Sequence, residues 1–387
     1  MQGGNTDKLL QEIDHRWDAL TNTSDDSDKT RIALPHPFVA PSNGIFHGDQ
    51  FYWDTYFTII GLLPSGRVDL AKGMVDNLLY LAETFKFIPM RNRLYNTGIS
   101  QPPFLTSMLR LIYEYTHEDD WLARGMELAE QEYWTYWRNE DPNDDYADHS
   151  VYRNLSRYAD HYIVHQTAEH ESGWDMSSRF NGRCLDILPV DLNSQLYKYE
   201  TDFTWYFELH DKKKSDEFNR LANERKQTMN ELMWNEQDGR YYDYDYTREK
   251  QTRFVAASCY GPLWANLASK EQAEAMKESL DIIIKPGGIV NSAVGSLPQK
   301  QWDHPNGWAP SQWLVISGLQ NYGYDELAQE LANRWVNLVA DVYEQTGEIW
   351  EKYDVVHQKP GKEGRYQNQT GFGWTNGVCG AIAERYF

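Results

Sequence analysis

The chain has 387 residues, 41% of them hydrophobic, enough for a packed core in one large or two ordinary domains. Lys+Arg 37 against Asp+Glu 58 leaves a net charge of −21, the wrong sign for gripping nucleic-acid phosphates or an anionic membrane. The aromatic content of 15 Trp, 26 Tyr and 14 Phe suits instead a neutral, ring-bearing ligand whose C–H faces stack on indole rings.

Helical periodicity dominates. Apolar residues recur at three- and four-residue steps over Thr6–Leu20, Asp69–Phe85, Phe104–Thr116 and Asp119–Arg138. The same spacing predicts helices over Asn193–Leu209, Asp216–Met233, Gly261–Asn266, Lys270–Ile284, Pro310–Tyr322, Tyr324–Thr346 and Gly373–Arg385. Asp119 and Ser215 read as N-caps, and Gly323 and Gly347 fall where helix C-caps or loops are expected. Only Gly239–Arg253 alternates like a strand pair, which predicts a small hairpin. No Pro/Ser-rich linker divides the chain, so a single domain over 1–387 is expected. The longest apolar stretch, around Tyr56–Leu63, is too short for a bilayer and the first residues hold no signal-peptide core. A soluble, cytoplasmic monomer is the expectation. Cys184, Cys259 and Cys379 are few, odd in number and far apart, which argues against a disulfide framework or structural zinc.

The segments between the helices are long and crowded with Trp, Gly, Asn and Pro: Pro41–Asp54, Arg91–Pro103, His170–Asn193, Pro286–Pro310 and Glu348–Asn376. Connections in ordinary bundles are short. Paired helices with elaborate loops at one end describe an all-α (α/α)6 barrel, with the loops converging on one mouth.

Two of these loops carry the acids that glycoside hydrolysis needs, one to protonate the leaving oxygen and one to activate water. Glu171-Ser172-Gly173-Trp174-Asp175 sets an Asp beside a bulky indole, where partial desolvation raises a carboxyl pKa; the same Asp could merely cap the following turn. Trp350-Glu351-Lys352-Tyr353-Asp354 offers the second carboxylate, or only a solvated helix end. Trp53-Asp54 and Gln301-Trp302-Asp303 add rings beside polar groups, while Arg91, Asn92, Arg93 and Gln101 supply donors for hydroxyls. His161, His165 and His170 have the spacing to be tested as metal ligands, but no HExxH accompanies them, and neither metal nor cofactor is expected. There is no GxSxG elbow, Walker loop or dinucleotide fingerprint.

Gln301-Trp302-Asp303-His304-Pro305-Asn306-Gly307-Trp308-Ala309-Pro310 resembles the QWDxPNGWAP signature of the trehalase family, the inverting α,α-trehalose glucohydrolases of family 37. Gln50–Asp54 with Gly61-Leu62-Leu63, Ser100–Pro103, Glu171–Asp175, Glu351–Asp354 and Gly371–Gly377 follow in that family's order. The resemblance implies an (α/α)6 barrel, a small neutral disaccharide as substrate, Asp175 as general acid and Glu351 as general base. It further implies a sugar pocket drawing on Trp53, Asp54, Asn92, Gln101, Glu171, Gly173, Trp302, Asn306, Trp308, Phe372 and Trp374. Glucosylglycerate or mannosylglycerate is the alternative substrate, and a non-catalytic sugar-binding barrel the remoter one.

The chain departs from the family at its leaving-group subsite. Phe46 and Ile99 stand where the family has arginines, and Gly361–Tyr366 puts Arg365 at the Glu position of GGGGEY, with Glu363 two residues earlier. Arg153 and Arg157, in a stretch faintly like a further arginine segment of the family, are expected with Arg365 to compensate.

Overall fold

The computed structural model describes residues 2–24, 27–139, 148–295 and 300–387; residues 296–299 of the expected Pro286–Pro310 loop lie outside them. The described residues form helices α1 (Gln2–Leu20), α2 (Tyr52–Leu62), α3 (Val68–Phe85), α4 (Leu105–Thr116), α5 (Asp119–Glu132), α6 (His165–Glu171) and α7 (Val190–His210). These are followed by α8 (Lys212–Leu232), α9 (Gly261–Trp264), α10 (Lys270–Ser279), α11 (Ala309–Asn321), α12 (Asp325–Thr346) and α13 (Gly373–Tyr386).

Alternate helices make two rings. α2, α4, α7, α9, α11 and α13 each pack on the next, and α13 returns to α2, closing an inner ring. Behind it lie α1, α3, α5, α8 and α12, each against one or two inner helices. This is the (α/α)6 barrel expected from the paired helices. Closure requires a close approach of the first and last inner helices. A Cβ on Gly61 would lie 2.5 Å from the Gly377 Cα, and one on Gly377 would lie 2.0 Å from the Phe57 carbonyl oxygen. Glycine at both crossing points lets the two backbones touch.

Outer helices carry one apolar stripe and were legible from their period. α2 was not predicted, because all eleven of its residues are buried and no polar face exists to mark the turns. α6 is short and polar, and also went unpredicted. Of the expected N-caps, Asp119 is the first residue of α5, which Glu118 precedes as cap, and its carboxylate accepts from the Tyr113 hydroxyl (2.7 Å). Ser215 lies inside α8, which begins a turn earlier: the Asp211 side chain accepts from the Lys213 and Lys214 backbone N–H groups. Gly347 does cap α12 with φ +71°. In place of one hairpin there are three pairings, Trp234–Asn235 with Arg240–Tyr241 and Tyr244–Asp245 with both Lys250–Gln251 and Ile187–Leu188.

Polar groups inside the ring are tied together. The Tyr52 and Tyr199 hydroxyls lie 2.7 Å apart, Tyr199 donates to Glu132 (2.9 Å), and the Leu105 N–H donates to Tyr199 (2.9 Å), linking α2, α4, α5 and α7. Burial pushes the Glu132 carboxyl up to about 7, against the pull of those hydroxyl donors. All three cysteines are free and buried.

Candidate active site

The loops that lead into inner helices converge on a cavity of about 530 Å³, a size suited to a small molecule. Several wall residues sit at or just before the N-termini of inner helices. Trp53 and Asp54 open α2, Trp308 precedes α11, and Phe372 and Trp374 flank the start of α13.

Tryptophans build the walls. Trp302 stacks on Trp308 with centroids 4.1 Å apart and on Trp174 at 5.2 Å, while Trp374 meets Trp53 edge-on at 5.7 Å. Gly173 makes room for Trp53: a Cβ there would lie 2.6 Å from the indole, and its φ of +72° disfavours any side chain. Phe46 packs edge-on against Phe51, Tyr366 and Phe372, so the position where the family resemblance has an arginine is an apolar wall.

Asp175 lies on the loop after α6, and buried Arg179 anchors that loop. Its guanidinium donates to Asp191 at 2.7 and 2.8 Å and to Asp243 at 2.7 and 2.8 Å. The turn after Asp175 is capped by others, since Ser177 N–H donates to Glu169 (2.7 Å) and Ser178 N–H to Asp303 (2.9 Å). The Asp175 carboxyl therefore faces the cavity, with its side chain 26% exposed and Arg365 Nη1 3.2 Å away. Burial raises it to about 7, helped by the charges of Glu351 and Glu169 and opposed by Arg365.

Glu351 is held differently. It is fully buried, with the Lys352 ammonium at 2.7 Å and the Tyr366 hydroxyl donating to it at 2.7 Å. The Trp374 indole N–H donates to its carbonyl (3.1 Å), fixing the backbone. Burial raises this carboxyl, while Lys352 and then Tyr366 pull it back toward the ionised form. A third carboxyl, Asp54, is pushed up to about 8 by burial and by the charges of Glu351 and Asp175.

Of the residues singled out from sequence, the cavity wall brings together Phe46, Trp53, Asp54, Gln101, Gly173, Asp175, Trp302, Trp308, Glu351, Arg365, Phe372 and Trp374. Five others do not line it. Glu171 turns inward, accepting from the Tyr136 hydroxyl (2.5 Å), the Ala159 N–H (2.7 Å) and the Ser100 N–H (3.2 Å). Asn92 braces loops, accepting from Gln50 N–H (2.9 Å) and donating to the Ile32 carbonyl (3.2 Å). Asn306 lies in a strand paired with Lys352–Asp354 and donates to the Gln301 carbonyl (2.9 Å). Arg153 pairs with Glu231, and Arg157 donates to the Leu185 carbonyl (2.8 Å) and the Tyr246 hydroxyl (3.0 Å), and neither lines the cavity.

Sequence reasoning passed over Tyr366, Tyr95, Asn96 and His170 as wall residues, and it named Arg91, which does line the cavity, only as one of several donors in its loop. Tyr366 had a signal, as the aromatic ending the glycine-containing segment. Arg91 had none separating it from Asn92. Its guanidinium reaches the wall while bonded to Asn96 (2.8 Å) and to Asp49 (3.1 Å). The histidines considered as metal ligands diverge: α6 begins at His165, so His161 is not on that helix, and His165 Nδ1 accepts from the Leu185 N–H (3.2 Å). Among the described residues no group of three His, Cys, Asp or Glu is arranged to hold a metal ion, and no helix is long and apolar enough to cross a membrane.

A helical barrel whose mouth gathers carboxyls among tryptophans has the build of a glycoside hydrolase. The chain belongs to the trehalase family: the sequence model of the family Trehalase matches residues 4–163 and 142–386. Among solved structures it is similar to neutral trehalase Nth1 from Saccharomyces cerevisiae, with 26% identity and a TM-score of 0.81 over 98% of this chain and 80% of that one. A GH63 mannosylglycerate hydrolase from Thermus thermophilus, solved with Tris and D-glycerate, shares the fold at 17% identity and a TM-score of 0.71, over 97% of this chain and 100% of that one.

Proposed function

We propose that this glycoside hydrolase cleaves α,α-trehalose to two glucose molecules with inversion at the attacked anomeric carbon. Asp175, protonated, donates its proton to the glycosidic oxygen as the bond from the anomeric carbon breaks. Glu351, ionised, takes a proton from the water that forms the new bond on the opposite face. One glucose then leaves as the β anomer and the other as the α anomer. The tryptophans cover the sugar's C–H faces, while Asp54 and Gln101 bind hydroxyls.

The observation that carries this reading is the unequal environment of two carboxyls on one cavity. Asp175 is raised to about 7 and can hold a proton near neutrality, whereas Glu351 has an ammonium and a hydroxyl donating to it. Environments that separate two carboxyls in this way assign acid and base roles. The test is proton NMR during the first turnovers on trehalose. Equal early release of α- and β-glucose supports inversion; α-glucose alone, or no cleavage, refutes the reading.

One observation favours a second substrate. Arg91 and Arg365 both line the cavity, and a guanidinium binds a carboxylate in two-point fashion. A leaving group bearing a carboxylate, as in glucosylglycerate or mannosylglycerate, would use them. A kcat/KM comparison across trehalose and these two glycosides decides between the readings.

A further inference from the structure

Arg365 reaches Asp175 from a different loop. Its Nη1 donates to Asp175 Oδ2 (3.2 Å) and to His170 Nε2 (2.9 Å), with the arginine side chain 49% exposed. A guanidinium cannot accept a hydrogen bond, so His170 Nε2 is the acceptor and that imidazole is neutral. Burial and Arg365 both lower the His170 pKa, in keeping with that form. Arg365 thus rests on two cavity-wall groups, while about half of its side chain stays in solvent.

The contact opposes what an acid catalyst needs. A proton donor must carry its proton when the glycosidic bond breaks, yet a cation at this distance favours the carboxylate. The other charged or titratable groups near Asp175 are Glu169 on α6, Asp54 on α2, and Glu351 and Tyr366 on the loop before α13. Glu169 and Glu351 favour the protonated form, and Arg365 works against them. A general acid touches the leaving oxygen, so a group bonded to Asp175 in the empty cavity stands where the leaving group must go.

We propose that Arg365 is a displaceable counterion of Asp175: it holds the carboxylate while the cavity is empty and gives way to the leaving group. On displacement Asp175 takes one proton from solvent, then passes it to the glycosidic oxygen. Glu351 returns the proton it gained from water to solvent as product leaves. Arg365 is in these terms a positioning residue that sets when the acid is armed. The proposal rests on Asp175 being the acid.

The pH dependence of kcat/KM reports the free enzyme and that of kcat the complex, so the two profiles separate the empty from the filled cavity. A protonated acid is lost as pH rises through its pKa, which makes Asp175 the alkaline limb. In the native enzyme the alkaline limb of kcat/KM should lie below that of kcat. Arg365→Ala should raise the kcat/KM limb by about 1–3 pH units and leave the kcat limb in place, and Arg365→Lys should bring the first limb back toward native. A carbon-13 titration of the Asp175 carboxyl in substrate-free native and Arg365→Ala protein reads the same shift without turnover. Limbs that coincide with native, or that both move together, overturn the counterion role. Asp175→Asn distinguishes the two failures. If it retains full turnover the acid assignment falls, and if it is inactive while the limbs stay put only the counterion role falls.

Discussion

Glu351 is sealed from solvent, with the Lys352 ammonium beside it and Lys352 itself lying 4.9 Å from the centre of the Trp308 ring. Asp175, which lines the same cavity, is a quarter exposed, and its cation is a long side chain half in solvent. Glu351, the base of the proposed mechanism, therefore carries a permanent charge balance built from buried neighbours. Asp175, the proposed acid, carries a balance that rests on a half-exposed arginine, which under the counterion proposal a ligand displaces. A base must be ionised before substrate arrives and an acid must be protonated after, so one site gains from being fixed at one end and adjustable at the other.

The widest break of this comparison is removal of either carboxyl. Asp175→Asn and Glu351→Gln should each lower kcat by about 10²–10⁴-fold with little change in KM, read by steady-state kinetics on trehalose. Lys352→Met comes next and tests whether the base side is fixed: it leaves a buried carboxylate without its ammonium and should destabilise the fold by about 3–5 kcal/mol, read by urea unfolding. Tyr366→Phe removes a donor to a charged group, worth about 1.5–3 kcal/mol. That donor lowers the Glu351 pKa, so without it the acid limb of the pH profile should move to higher pH. Gly173→Ala, on the acid loop, pushes a methyl into Trp53 and should cost about 1–3 kcal/mol of stability, seen in the same urea assay. Treatment with EDTA should change nothing, since neither carboxyl is assigned a metal partner.

Much of this architecture was legible because its parts obey local rules. Outer helices such as α8 and α12 show one apolar stripe, and loops holding Trp302, Trp308 and Trp374 stand out because indoles are costly in solvent. In the inner ring α2 was the helix missed. α2 is buried all round, so its period is hidden, although its Trp53-Asp54 start was recognisable from family resemblance. Residues whose position depends on partners far along the chain could not be read. Arg153 and Arg157 looked like candidates for the site until Glu231 and Tyr246 claimed them, whereas Arg91 reaches the wall only because Asn96 and Asp49 steer it there. Glu171 and Asp175 share one short motif, yet the fold turns one inward and the other to the cavity.

The contact between Gly61 and Gly377 has a bearing on how the molecule is made. α2 emerges early in synthesis, but its neighbour in the ring, α13, is the last helix described. Contacts between distant segments form late, because the intervening loop must be closed first. During translation α2, buried on every side in the finished barrel, has to wait for its partner with apolar surface uncovered, a state prone to aggregation. The same delay keeps the cavity unassembled, since Phe372 and Trp374 arrive only with α13. A nascent chain halted before that helix would hold Asp54 and Asp175 but could not close the wall around a sugar, so catalytic competence and ring closure should appear in one step.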